Sequence, residues 1–428
     1  MTRLLTALLL LLALPVAAQA APGDPDNRFG RRGTVSLKAD NADAVAGAVK
    51  AISGGRVLAG GAANGQFVVV RLRRTGSLDR SFGTNGQVVP ALPGTSLRGV
   101  QSLAVFRDGR IVAAGALRQA DGTTRWAVLR LLPTGEIDPS FGGGSGYVLA
   151  GPANAQFGAM TMDRDGNVIL GGSTGDAPIV IRLLGDGSVD PGFGANGTFN
   201  ASTVGVTGRV TSLLVRPEGP IAFTVAGGTS AFTTVRLTAT GAPDPSFAGT
   251  GVSNMVLGPG AAAGIGAQAL VNGPGGRLVV AGTDVSATGR PRGAVIRLLP
   301  NGTADTRFGA KGVARIARSS DEIRITAMAR DSAGRILLAG SGRPPSALVA
   351  RLRANGKRDR HFGNGGLTFP RLGRPPGGNP IYTTLDAIDA QGSRAFLAGS
   401  AAGPGALVRG LGATTYTGRF ALTVSKLR

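Results

Sequence analysis

The chain has 428 residues, with 71 Gly, 25 Pro, no Cys, one His and a formal net charge of +22. Without Cys there is no thiol catalysis, disulfide or Cys-based zinc site, and His361 alone rules out a multi-His metal site. Hydrophobic residues at 42% supply a core, but so much Gly disfavours helices, where each one costs ~1 kcal/mol relative to Ala.

In chain order, the first predicted element is an export signal. Arg3 provides the positive start, Leu4 to Leu14 an apolar run too short to span a bilayer, and Ala18-Gln19-Ala20 a small-x-small cleavage site. The expectation is a signal peptide over residues 1–20, followed by a single secreted or periplasmic domain over 21–428. Loss of Arg3 leaves that domain at +21. No second apolar run reaches transmembrane length, and the expected state is a monomer.

A repeat then dominates the chain. The phrase G-x-x-D-x-x-F occurs seven times, with Asp at Asp26, Asp79, Asp138, Asp190, Asp244, Asp305 and Asp359. The matching Phe residues are Phe29, Phe82, Phe141, Phe193, Phe247, Phe308 and Phe362, and the intervals run from 52 to 61 residues. Gly follows the Phe in every copy except the fifth, where Ala248 stands.

Each period carries four β-rich runs separated by Gly turns. In the second period they are GQVVP (86–90), VQSLAVF (100–106), RIVAAG (110–115) and WAVLRLL (126–132). The turn between the second and third runs always ends in Gly (Gly55, Gly109, Gly166, Gly219, Gly276, Gly334, Gly392), as a tight hairpin needing φ > 0 demands. Four short strands per period, seven times over, predict an all-β, seven-bladed β-propeller with about four antiparallel strands per blade. A ring of such sheets covers each face with a neighbour and leaves only short edges. For closure, one blade is expected to use both termini, with either Thr34–Leu37 or Phe420–Val424 as its outer strand.

The motif Asp is expected to cap its own turn and the Phe to anchor the core between blades. Arg71, Arg130, Arg182, Arg236, Arg297 and Arg351 each precede a motif Asp by eight residues. Arg409 holds the corresponding place in the last period, and ring closure is expected to pair it with Asp26. One reading of this series is a structural Arg–Asp pair in every blade. The other is a ring of Arg lining the channel and binding an anion. The fixed one-to-one spacing favours the structural pair.

These phrases resemble the delta-60 repeat family, whose units carry L-D-x-x-F-G-x-x-G, then D-G-K/R-I-x-x-A-G, then A-V-x-R-L. LDRSFGTNG, RDGRIVAAG and WAVLRLL correspond nearly letter for letter, and the resemblance covers almost the whole mature chain. It implies an exported propeller-like protein and carries over no catalytic residue. The fifth copy departs most, with PEGP in place of DGR.

The basic charge is concentrated at the two ends. Residues 81–300 hold 15 Lys/Arg against 12 Asp/Glu, whereas residues 21–80 hold 10 against 5 and residues 301–428 hold 20 against 7. In a closed ring these ends are neighbours. Arg31, Arg32, Arg73, Arg74, Arg315, Arg318, Lys357, Arg358, Arg360, Arg371 and Arg374 then form one basic sector suited to a polyanion, a polysaccharide or an envelope protein. The alternative is a solvated, Arg-biased surface.

Signals for catalysis are weak. His361 falls in a motif turn, MDRDGNV (162–168) aligns with an ordinary hairpin turn, and FGGGSG (141–146) has no helix after it to hold a phosphate. No catalytic residue, metal or cofactor is expected. The leading expectation is therefore an exported, non-enzymatic binding or scaffold propeller. The alternative is a carbohydrate-active hydrolase or lyase using Asp residues on the longer loops 116–125 and 283–293.

Overall fold

Val, Ile, Leu and Ala crowd the second to fourth runs of each repeat, and these runs fold as antiparallel meanders joined by glycine turns. The computed structural model describes residues 21–37, 44–96, 98–227, 231–257, 266–286, 288–316, 322–342, 346–370, 382–402 and 420–428. The signal-peptide expectation for residues 1–20 lies outside the described residues. In the first full repeat Ala44–Ile52 is the inner strand, followed outward by Arg56–Ala63, Gln66–Leu72 and the short edge strand Gln87–Val88. The hairpin glycines take the left-handed conformation their turns require, from φ +61° at Gly392 to +106° at Gly219.

The expectation of seven separate four-stranded blades is corrected by the sheet topology. Five four-stranded sheets stand as separate blades, and the remaining strands form a single eight-stranded sheet. The join lies where Ala226, at the end of Ile221–Ala226, pairs with Gly266, at the start of Gly266–Asn272. Gly266 has φ +129°, open to a residue without Cβ, and this lets the incoming strand meet the end of the preceding sheet. The join falls beside the repeat whose sequence departs most from the others.

Closure uses both termini. Tyr382–Gln391, Arg394–Ala402, Phe420–Leu427 and Thr34–Leu37 form one sheet in that order, with Thr34 opposite Ser425 and Leu37 opposite Leu422. Thr34–Leu37 is thus the outer strand, and Phe420–Leu427 is the third.

The core lies between neighbouring sheets. All seven motif Phe side chains are at most 1% exposed. Phe82 packs against Leu58 and Val69 of its own sheet and Ile111 and Leu129 of the next. Phe29 meets Phe396 edge-on at 6.3 Å, where the chain ends come together. Burying a Phe stabilises by roughly 1.5–3 kcal/mol, so this one position supplies much of the cohesion between sheets.

Inner strands carry a bulge near their start, as between Ala46 and Ala48 or Phe157 and Ala159. The bulge pushes a carbonyl toward the second strand. A Cβ on Gly61 would lie 1.7 Å from the Val45 oxygen, and one on Gly172 would lie 2.0 Å from that of Gln156. This close approach explains the recurrent Ala-Gly or Gly-Gly in the third run. The bulged residue in turn touches the next inner strand: Thr211 Oγ1 donates to the Ala267 carbonyl and Thr326 Oγ1 to that of Leu385.

Candidate functional site

The repeated Arg and Asp residues come together as structural pairs. Arg71 Nε donates to Asp79 Oδ2 at 2.8 Å, Arg130 to Asp138 at 2.6 Å and Arg182 to Asp190 at 2.6 Å. Arg236 reaches Asp244 at 2.7 Å, and Arg297 and Arg351 reach Asp305 and Asp359 at 2.9 Å. Each guanidinium also lies over its own motif Phe, between 4.5 Å (Arg351–Phe362) and 4.9 Å (Arg297–Phe308). The outer guanidinium nitrogen reaches into the next repeat: Arg71 Nη1 donates to the Pro133 carbonyl at 2.6 Å and Arg297 Nη1 to Ala354 at 2.7 Å. A single Arg therefore fixes its own turn, covers its own Phe and ties two repeats together. These arginines sit on third strands, away from the channel, so the channel-lining alternative is replaced by the structural one.

Burial pushes the carboxyls of Asp79, Asp138 and Asp244 up, but serine hydroxyl and Arg donors outweigh it and hold all three below the ordinary carboxylate range. Asp305 is held low in the same way by the Arg307 amide, Arg297 and Arg277.

A backbone staple runs beside these pairs. Gly30 N donates to Thr75 O, Gly83 to Thr134, Gly142 to Asp186, Gly194 to Thr240, Ala248 to Asn301 and Gly309 to Asn355. The last of the series, Gly363 N to Pro22 O at 2.8 Å, links the final motif to the start of the described chain. Ala248, the fifth-copy exception, takes φ +53° to keep its bond.

This closure brings the basic ends near one another around the ring. Strands alternate in direction, so the motif segments lie at one end of the sheets and the starts of the inner strands at the other. At the motif end, the turn holding Arg31 and Arg32 is stapled to the turn holding Arg73 and Arg74. Two seams away, Arg315, Arg353, Lys357, Arg358 and Arg360 line a cleft of about 830 Å³. Arg315 Nε donates to buried Asp284 at 3.2 Å, and Arg73 Nε lies 3.6 Å from Asp79. Arg31, Arg32, Arg74, Lys357, Arg358 and Arg360 form no ion pair among the described residues. Arg318, Arg371, Arg374 and Arg409 lie outside the described residues.

The opposite end opens into the central channel, a cavity of about 480 Å³ to which every inner strand contributes. Its upper wall carries Arg98, Gln101, Arg209, Gln268 and Asp386, and its lower wall is apolar, with Leu213, Leu270, Met328 and Ile388. Among the described residues there is no group of three His, Cys, Asp or Glu side chains able to hold a metal, and no helix long and apolar enough to cross a membrane.

The sequence matches the β-propeller family described as domain of unknown function DUF5122 over residues 54–82, 107–141, 164–193, 222–247 and 274–308. This is a β-propeller repeat protein. No curated protein matches the propeller's sequence. Similar solved structures include virginiamycin B lyase from Staphylococcus aureus, at 11% identity and TM-score 0.47, covering 92% of this chain and 98% of that one. A protein from Lactobacillus plantarum shares 14% identity at TM-score 0.46, covering 87% and 99%. A puromycin hydrolase shares 16% identity at TM-score 0.45, covering 85% of the propeller and 50% of its own chain.

Two expectations change within the propeller, and MDRDGNV is the turn expected of it. Asp26 is paired with Lys426, at 2.9 Å, and with Arg428 at 3.3 Å. The expected partner Arg409 lies outside the described residues; the third strand of the closing sheet is Phe420–Leu427, whose VSKLR repeats the VVRLR of Val69–Arg73 with Lys in the Arg place. The long loops 116–125 and 283–293 are largely hairpin, paired out to Arg118–Thr124 and Val285–Pro291, and Asp284 within them is buried against Arg292 and Arg315. MDRDGNV is a turn closed by its own Asp163, which accepts from the amides of Asp165 and Asn167. Arg98, Arg209 and Arg353 escape sequence reasoning because none sits at a position that the repeat singles out.

Proposed function

We propose that this propeller is an exported, non-enzymatic binding module for anionic envelope polymers or acidic polysaccharide, engaged through the basic sector where its ends meet. The observation that carries the reading is the cleft of Arg315, Arg353, Lys357, Arg358 and Arg360, three of which have no ion-pair partner among the described residues. Unpaired guanidinium groups offer forked donors that match carboxylate, sulfate and phosphate oxygens. Two seams away the charge continues at Arg31, Arg32, Arg73 and Arg74, and a chain-like anion can follow it across several sheets where a small anion cannot.

Chromatography on immobilised heparin tests this. The native protein is expected to elute at clearly higher salt than the triple variant Lys357→Ser/Arg358→Ser/Arg360→Ser. The charge-matched variant Arg107→Ser/Arg164→Ser/Arg290→Ser, altered away from the cleft, is expected to elute close to the native protein. Equal loss of retention in both variants contradicts a built sector and leaves only net charge.

A further inference from the structure

At the channel mouth, arginines stand against the inner strands rather than at the motif turns. Arg209 opens the strand Arg209–Val215 and lines the cavity together with Arg98. Neither forms an ion pair among the described residues, in contrast to the Arg on each third strand, which has its Asp. Arg209 keeps solvent contact through the mouth, yet the surrounding strands desolvate it. That burial lowers its pKa, and the nearby Arg98 charge lowers it further. Two like charges held together in partial desolvation favour a counter-anion between them. Among the described residues, the carboxylate on the lining is Asp386, which belongs to a different inner strand.

Further along the same strands the wall changes character. Leu213 lies four positions beyond Arg209, roughly 12 Å along the strand, in an apolar band with Leu270, Met328 and Ile388, all at most 8% exposed. We propose that the channel binds a small organic anion with an apolar body, its charged group held by Arg98 and Arg209 and its apolar end seated on this band. Gln101 and Gln268, on the wall between, offer amide donors to a second polar atom of such a ligand. A cavity of about 480 Å³ falls within the range of small-molecule sites and excludes a polymer, so this site is distinct from the basic cleft on the opposite end.

Isothermal titration with octanoate tests the proposal, with acetate and 1-octanol as arms that keep only the charge or only the chain. The expected result is one octanoate site, with acetate and 1-octanol each bound at least about tenfold more weakly. Arg209→Gln and Arg98→Gln are each expected to weaken octanoate by about tenfold, with melting temperatures unchanged because both side chains are exposed at the mouth. The Lys357→Ser/Arg358→Ser/Arg360→Ser variant is expected to bind octanoate as the native protein does, so the two sites fail or stand separately. No octanoate binding by the native protein, octanol bound as tightly as octanoate, or Gln variants that bind like the native protein would each overturn it.

Discussion

Lys426 Nζ lies 2.9 Å from Asp26 Oδ2 and 5.7 Å from the centre of the Phe29 ring, joining the last strand to the first motif. It stands where every other repeat with this pair uses Arg, and its side chain is only 4% exposed. Lys426→Met leaves Asp26 with the more distant Arg428 and is expected to destabilise the fold by about 3 kcal/mol, as breaking buried pairs does. Lys426→Arg is expected to be tolerated or to raise the melting temperature slightly, because the fork can also reach across the seam as Arg71 does to Pro133. Thermal denaturation of the two variants checks this. A Met variant as stable as the native protein would remove the pair from the closure.

Acid is expected to loosen these same seams. Asp26, Asp79, Asp138, Asp244 and Asp305 are all held below their ordinary value of 3.8. A group whose folded pKa is depressed adds stability that is fully present above its unfolded value and is lost as pH falls through the folded value. The melting temperature should therefore vary little with these groups between pH 5 and pH 7 and drop steeply below about pH 4. Asp138→Asn is expected to melt lower at pH 7 and to show a shallower acid decline than the native protein.

Glycine at the staple is a steric requirement. Gly135 has φ +93°, and an added Cβ would lie 2.6 Å from the Gly83 amide nitrogen and 2.9 Å from the Phe82 ring. Gly143 has a similar φ of +64° but open space around it. Gly143→Ala is expected to cost ~1–2 kcal/mol, the strain of a left-handed residue with a Cβ. Gly135→Ala adds a seam clash to that strain and is expected to lower stability by clearly more in chemical denaturation.

The bulge threonines give a smaller effect. Thr326 Oγ1 bonds the carbonyls of Ala339 and Leu385, linking two inner strands. Thr326→Val is expected to cost about 1–2 kcal/mol by leaving the Leu385 carbonyl short of its hydroxyl donor. A substitution without effect on melting would show that the inner strands do not depend on this bond.

The repeat made the strands, hairpin glycines, motif Phe and Arg–Asp pairs readable before any coordinates, since each answers a local demand that recurs with the period. Sheet continuity was not readable, because the Ala226–Gly266 pairing depends on how closely two neighbouring sheets approach. The third strand of the closing sheet, Phe420–Leu427, was hard to read because Lys426 hides the Arg pattern of the other repeats. The basic sector could be drawn from net charge and ring closure, although Arg315 is engaged with Asp284. The channel arginines were invisible, since Arg98 and Arg209 become neighbours only when inner strands of separate repeats converge.

On the proposed function, the cleft at Lys357, Arg358 and Arg360 binds polyanions through built charge. The most direct measurement is the salt dependence of heparin affinity, taken as the slope of log K against log salt concentration. The native protein is expected to show a steep slope, with the triple Ser variant reduced by roughly two to three units, one for each lost contact. An unchanged slope in that variant, or an equal reduction in the Arg107/Arg164/Arg290 variant, would contradict the claim.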